Sequence, residues 1–170
     1  MASTARATWR ELKARAGVGT HGIVAWFRTE ESRVADELET LYAEYRRLER
    51  QLDEHAERAP YPHVAGRLKA LLATEEVNAA SVAARLAELG RYAETNGAVV
   101  LRDGASSWER LLGTLEDYRS LVRHLGQLKA RWHDDRPEDA MLVSGLRDQA
   151  SRNRSEISDM IARADPHAAN

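Results

Sequence analysis

A chain of 170 residues with 25 Lys and Arg against 27 Asp and Glu has the size of one domain with one core and a net charge of −2. That balance speaks against a nucleic-acid partner, and the absence of Cys excludes disulfide frameworks, thiolate metal sites and Cys nucleophiles. No apolar run approaches the ~18 residues a membrane span needs, and the N-terminus lacks an apolar leader, so no membrane partner and a cytoplasmic location are expected.

In chain order, residues 1–22 read as an N-terminal extension with a short helix over Thr4 to Ala16, stopped by Gly17-Val18-Gly19. Trp9 and Leu12 share one face of it. An arm folded back on the domain is the simpler reading, and a partner-docking role for this pair is the alternative. Helix 1 is expected from Gly22 to Glu57, with an inward seam of Phe27, Glu31, Val34, Leu38, Leu41, Tyr45, Leu48 and Leu52 stepping by three and four. Arg33, Glu37, Arg46, Arg47, Glu49 and Arg50 lie opposite and read as a solvated charged face.

Ala59-Pro60-Tyr61-Pro62 predicts a tight turn into helix 2, which runs from Pro62 to Leu89 and stops at Gly90. Its seam of Val64, Leu68, Leu71, Glu75, Asn78, Val82, Leu86 and Leu89 places a carboxylate and a carboxamide where apolar residues belong. A buried Glu costs several kcal/mol unless paired, so this position needs partners. The stretch from Arg91 to Ser106 is too long for a hairpin turn and long enough to cross the full length of a ~40 Å helix.

Helix 3 opens with the capping box Ser106-Ser107-Trp108-Glu109 and has the seam Trp108, Leu111, Leu115, Tyr118, Val122, Leu125 and Trp132. After the turn His133–Pro137, helix 4 is expected to be capped by Asp135 with Glu138. It continues on Leu142, Leu146, Ala150, Asn153, Ile157 and Met160 until Asp165-Pro166, and residues 167–170 are expected to fray. The predicted fold is all-α: a bundle over residues 23–166 in which two helical hairpins are joined by one long crossover. The six His residues form no i,i+4 pair on a helix, and each reads as a surface or turn residue, though a lone haem ligand stays open.

This connectivity, with Leu71-Leu72-Ala73-Thr74-Glu75-Glu76-Val77-Asn78-Ala79, Trp108-Glu109-Arg110-Leu111-Leu112 and the segment Ser155 to Pro166, resembles the ferritin-like, rubrerythrin-related superfamily. The resemblance implies a four-helix bundle and, in iron-binding members, a Glu from helices 1 and 3 plus a Glu-x-x-His from helices 2 and 4. Carried onto this chain, the helix 2 motif falls on Glu75 and Asn78, and the helix 4 motif on Ala150 and Asn153. Reflection through the turns puts Leu41, with Tyr42 and Tyr45, and Tyr118 level with them. One of six ligands is left, so the implied di-iron site is degenerate and no cofactor is expected.

Glu75, Asn78 and Asn153, with Tyr118 or Tyr42, are expected to form a buried hydrogen-bond cluster that holds structure and helix register. The leading expectation is a non-enzymatic structural or protein-interaction module, self-associating as a homo-oligomer, a dimer first, with any other protein partner unknown. Two alternatives stand beside it. One is a ferritin-like iron-binding or oxidase protein with an atypical site; the other is a small-ligand carrier using the former metal cavity.

Overall fold

The computed structural model describes residues 5–93 and 101–164, with side chains described from residue 30 onward. Four helices follow in order: α1 (Ala5–Glu57), α2 (Pro62–Glu88), α3 (Ser107–Trp132) and α4 (Pro137–Arg163). α1 packs closely along α2 and α3 along α4, while the cross pairs α1–α3 and α2–α4 touch more sparsely. Two antiparallel hairpins thus dock to make a four-helix bundle.

The apolar seam builds the core. Leu38, Leu41, Tyr45, Leu52, Val82, Leu86, Tyr118, Leu125, Val143, Ala150 and Ile157 are all completely buried, and each large aliphatic among them contributes about 1.5–3 kcal/mol by leaving water. Trp132 is buried and Trp108 half-buried at opposite ends of α3, consistent with packing anchors.

Helix ends follow local chemistry, with one exception. Pro62 opens α2, where its missing N–H costs nothing, and Gly90 ends it at φ 72°. Ser106 Oγ accepts from Glu109 N (3.1 Å), and Glu109 reaches back to Ala105 N (2.7 Å) instead of Ser106 N. Gly104 permits this fold-back, since a Cβ there would lie 2.9 Å from Arg110 N. The exception is α4. Its N-cap is Arg136, with no side-chain cap bond, and Asp135 and Glu138 stand in solvent. The carboxylate drawn in is Asp139, which faces two arginines.

Three expectations along α1 are corrected. Gly17-Val18-Gly19 does not stop the helix, which is continuous over Ala5–Glu57. A Gly inside a helix costs only about 1 kcal/mol, a penalty that helix formers on both sides offset. Glu31 is exposed, not inward; α2 ends at Glu88, level with it, so no neighbour remains to bury that seam position. The opposite face is not wholly solvated either, because Glu49 is buried and Arg46 and Arg47 are half-buried. Phe27, Trp9, Leu12 and residues 165–170 lie outside what is described of side chains or chain.

Polar links fix how the hairpins dock. Between α2 and α4, Arg67 binds Glu156 (2.5 Å) and Asp159 (2.7 Å) near the α1–α2 turn. At the far end Arg85 binds the fully buried Asp139 (2.6 Å), whose second oxygen accepts from Arg136 (2.8 Å). Glu75 sits between these two ion pairs.

Candidate functional site

Glu75 has no solvent exposure and lies at mid-helix. One carboxylate oxygen accepts from the Tyr118 hydroxyl (2.7 Å) and from Asn153 Nδ2 (2.5 Å). The other accepts from Asn78 Nδ2 (2.8 Å), three residues on along α2. Gln149 in turn donates to Asn153 Oδ1 (2.9 Å), which fixes that amide with its nitrogen toward Glu75. The sequence-derived cluster of Glu75, Asn78 and Asn153 is therefore assembled, with Tyr118 as its phenol. Tyr42 is only half-buried, whereas Tyr45 is completely buried and feels the charge of Glu75.

Burial pushes the Glu75 carboxyl above its ordinary range, while the three donors favour the ionised form and pull it back. The same burial and the facing carboxylate hold the Tyr118 and Tyr45 hydroxyls as phenols, their pKa values raised. Leu41, Tyr45, Tyr118 and Ala150 are each fully buried, so the level of Glu75 is closed to solvent.

This donor set does not fit two irons. Glu75 is the one carboxylate of the cluster, and both of its oxygens face N–H and O–H donors, which present positive charge to any cation placed there. Among the described residues no group of three or more His, Asp or Glu side chains is placed to hold a metal ion.

A second buried polar network escaped the sequence reading. Gln51 and His55 on α1 meet Thr114 and Asp117 on α3, all at most 5% exposed. Gln51 Nε2 donates to Asp117 (2.8 Å) and Thr114 (3.2 Å), and its carbonyl accepts from Arg102 N (3.0 Å). Arg47 (3.1 Å) and Arg102 (2.8 Å) also reach Asp117. His55 Nε2 lies 3.1 Å from the Arg102 carbonyl, which can only accept, so that nitrogen carries the proton. Burial lowers the pKa of His55, which stays neutral and clamps the end of the crossover. The available signal was the i,i+4 spacing of 51 and 55 and of 110 and 114, one step beside the apolar seams.

His124 was expected at the surface. It is half-buried and bonds Glu44 (3.0 Å), with Glu37 at 3.8 Å. The Glu44 hydrogen bond, then the nearby negative charge, raises its pKa above 6.5 against the cost of burial. A raised value means the stabilisation is complete below the unfolded pKa and lost as pH rises through the folded one. His124→Gln should therefore cost about 1 kcal/mol at pH 5.5 and almost nothing at pH 8.5, read from urea midpoints at the two pH values.

No protein-family model matches the sequence, and no curated protein matches it. Solved structures do. The dodecameric thioferritin of Bacteroides fragilis, a bacterioferritin-related protein, is similar at TM-score 0.71 and 12% identity, over 78% of this chain and 86% of that one. A point mutant of Mycobacterium smegmatis Dps1 gives 0.68 and 16%, covering 78% and 97%. The chain has a ferritin-like fold. The bacterioferritin of Desulfovibrio desulfuricans, whose structure holds a diiron site, is similar at 0.55 and 18%, over 78% and 80% of the two chains. In this ferritin-like bundle the polar part of the middle layer is the hydrogen-bonded cluster of Glu75, Asn78, Tyr118 and Asn153. No helix among the described residues is long and apolar enough to cross a membrane.

Proposed function

We propose that this protein is a non-catalytic ferritin-like bundle, a structural or protein-interaction module that works as a homo-oligomer. The observation that carries the reading is the state of Glu75: a buried mid-helix carboxylate whose two oxygens accept three hydrogen bonds from Asn78, Tyr118 and Asn153. In a catalytic or iron-storing relative the middle layer must offer several anionic or imidazole donors and open coordination positions. Here it offers amide and phenol hydrogens, and Leu41, Tyr45, Tyr118 and Ala150 close the layer to solvent. That closure also weighs against a small-ligand carrier, which needs a way in. The fold neighbours support self-association, since the thioferritin is dodecameric; a dimer as the basic unit is this reading's own assignment.

The test is metal content. Protein purified without a histidine tag, incubated with ferrous iron in air and desalted, should carry well under one iron per chain by plasma mass spectrometry. About two irons per chain, the loading of a di-iron centre, would overturn the reading.

A further inference from the structure

α1 has 53 residues and its hairpin partner α2 has 27. The 26 residues by which α1 exceeds α2, about 39 Å of helix, leave the bundle at the end where α2 stops and α3 turns into α4. No other described helix continues alongside them.

The sequence of this arm has two regularities. Counting back from the buried Val34 in steps of three and four reaches Phe27, Ile23, Ala16, Leu12 and Trp9, so the register of the core seam extends along the arm. Thr20 and the exposed Glu31 are the two interruptions. A heptad-like stripe without a partner helix is what coiled-coil pairing buries. The arm is also basic at its tip, with Arg6, Arg10, Lys13 and Arg15 against Glu11. The remainder of the chain is correspondingly acidic, because the total is −2.

The bundle end from which the arm emerges carries the opposite charge. A surface cleft of about 540 Å³ opens there between α1 and α3, where Glu30, Asp36 and Glu37 are already paired with Arg33, Arg91 and Arg131, so the free negative charge lies beside it. Asp134 and Asp135 on the α3–α4 turn are exposed and make no ion pair among the described residues, and neither does Glu31.

We propose that the arm pairs antiparallel with the same arm of a second copy of this chain, seating its basic tip on that copy's acidic bundle end. Charge decides the orientation: a parallel pair would lay basic tip on basic tip, whereas the antiparallel pair separates the two tips and brings each toward the other copy's bundle end, where Glu31, Asp134 and Asp135 are exposed and unpaired among the described residues. The stripe agrees, since Leu12 then meets Ile23 and Trp9 meets Phe27. The midpoint falls at Val18, between Gly17 and Gly19, where the helix axes can approach closely. This deepens the interaction-module reading by naming its partner, and it is measured independently of iron content.

Sedimentation equilibrium of the full chain at about 50 μM should give an even number of 19.1 kDa chains per particle. Leu12→Glu with Ile23→Glu should raise the dissociation constant at least tenfold while the thermal transition of the bundle stays in place. Salt should weaken the parent assembly by screening the tip contacts. With no native Cys, orientation is read directly: Leu12→Cys mixed with Ile23→Cys should give a disulfide-linked heterodimer, and neither should cross-link alone. A monomeric parent overturns the proposal, as does an assembly unchanged by the double variant or a Leu12→Cys chain that cross-links to itself. A monomer that binds a polyanion such as heparin through the arm would assign the basic tip elsewhere and overturn it too.

Discussion

Glu75→Ala should lower the stability of the bundle by about 3–5 kcal/mol, a fall in Tm on the order of 10 °C, whereas Glu75→Gln should stay within about 1 kcal/mol of the parent. The asymmetry comes from what each change leaves behind. Alanine strands the Tyr118 hydroxyl and the Asn78 and Asn153 amides, three buried donors that lose their common acceptor, and each stranded group costs about 1–3 kcal/mol. Glutamine keeps one oxygen for Tyr118 and Asn153, and its new amide is accommodated if Asn78 turns its own amide over. pH separates the two effects further. The folded carboxyl titrates above its unfolded value because burial opposes its charge. The parent therefore loses stability as pH rises through the folded value, and Glu75→Gln gains on it from pH 4 to pH 7. Thermal scans of the three proteins at both pH values check this. An alanine variant as stable as the parent would mean that the layer does not hold the helices together.

Asp139→Ala should cost about 3 kcal/mol, read as a shift in the urea midpoint at unchanged slope. Asp139 is fully buried and receives Arg85 from α2 on one oxygen and Arg136 from the start of α4 on the other. Removing it leaves two half-buried guanidinium groups without their anion, and it also removes a negative charge from the first turn of a helix with no side-chain cap. Arg85 keeps Glu88 and Glu138 within ion-pair distance, but both are exposed and screened. Combining Asp139→Ala with Arg85→Ala should cost less than the two separate losses, because the second substitution removes a charge the first has stranded.

What the sequence disclosed follows from where the physics is local. The core seams were legible because burial against a neighbouring helix imposes a step of three or four, and Leu38 to Leu52 or Leu68 to Leu86 keep that step. Glu75 was legible because it breaks the apolar pattern without leaving the stripe; the ferritin-like resemblance carried Asn153 to its level, and reflection through the second turn added Tyr118. Asp139 with Arg85 was not legible. The two are separated by 54 residues, and nothing in either local sequence distinguishes a charge that meets a partner from one that meets water. His55, Gln51, Thr114 and Asp117 escaped for the same reason: each lies beside its seam, and their burial depends on how the hairpins dock. Gly17-Val18-Gly19 misled because a glycine's helix penalty is small against the propensity of a long run of helix formers.

The sharing of one apolar core between two hairpins has a further consequence for how the molecule comes apart. Each hairpin joins neighbours in sequence, so its own packing needs little chain closure, while the docking of one hairpin on the other resembles the meeting of two subunits. A chain opened within the crossover would therefore behave as a pair of complementary fragments. Their association would bury the shared core and would respond to ionic strength through the pairs at Arg67 and Arg85 and to acidity through Glu75.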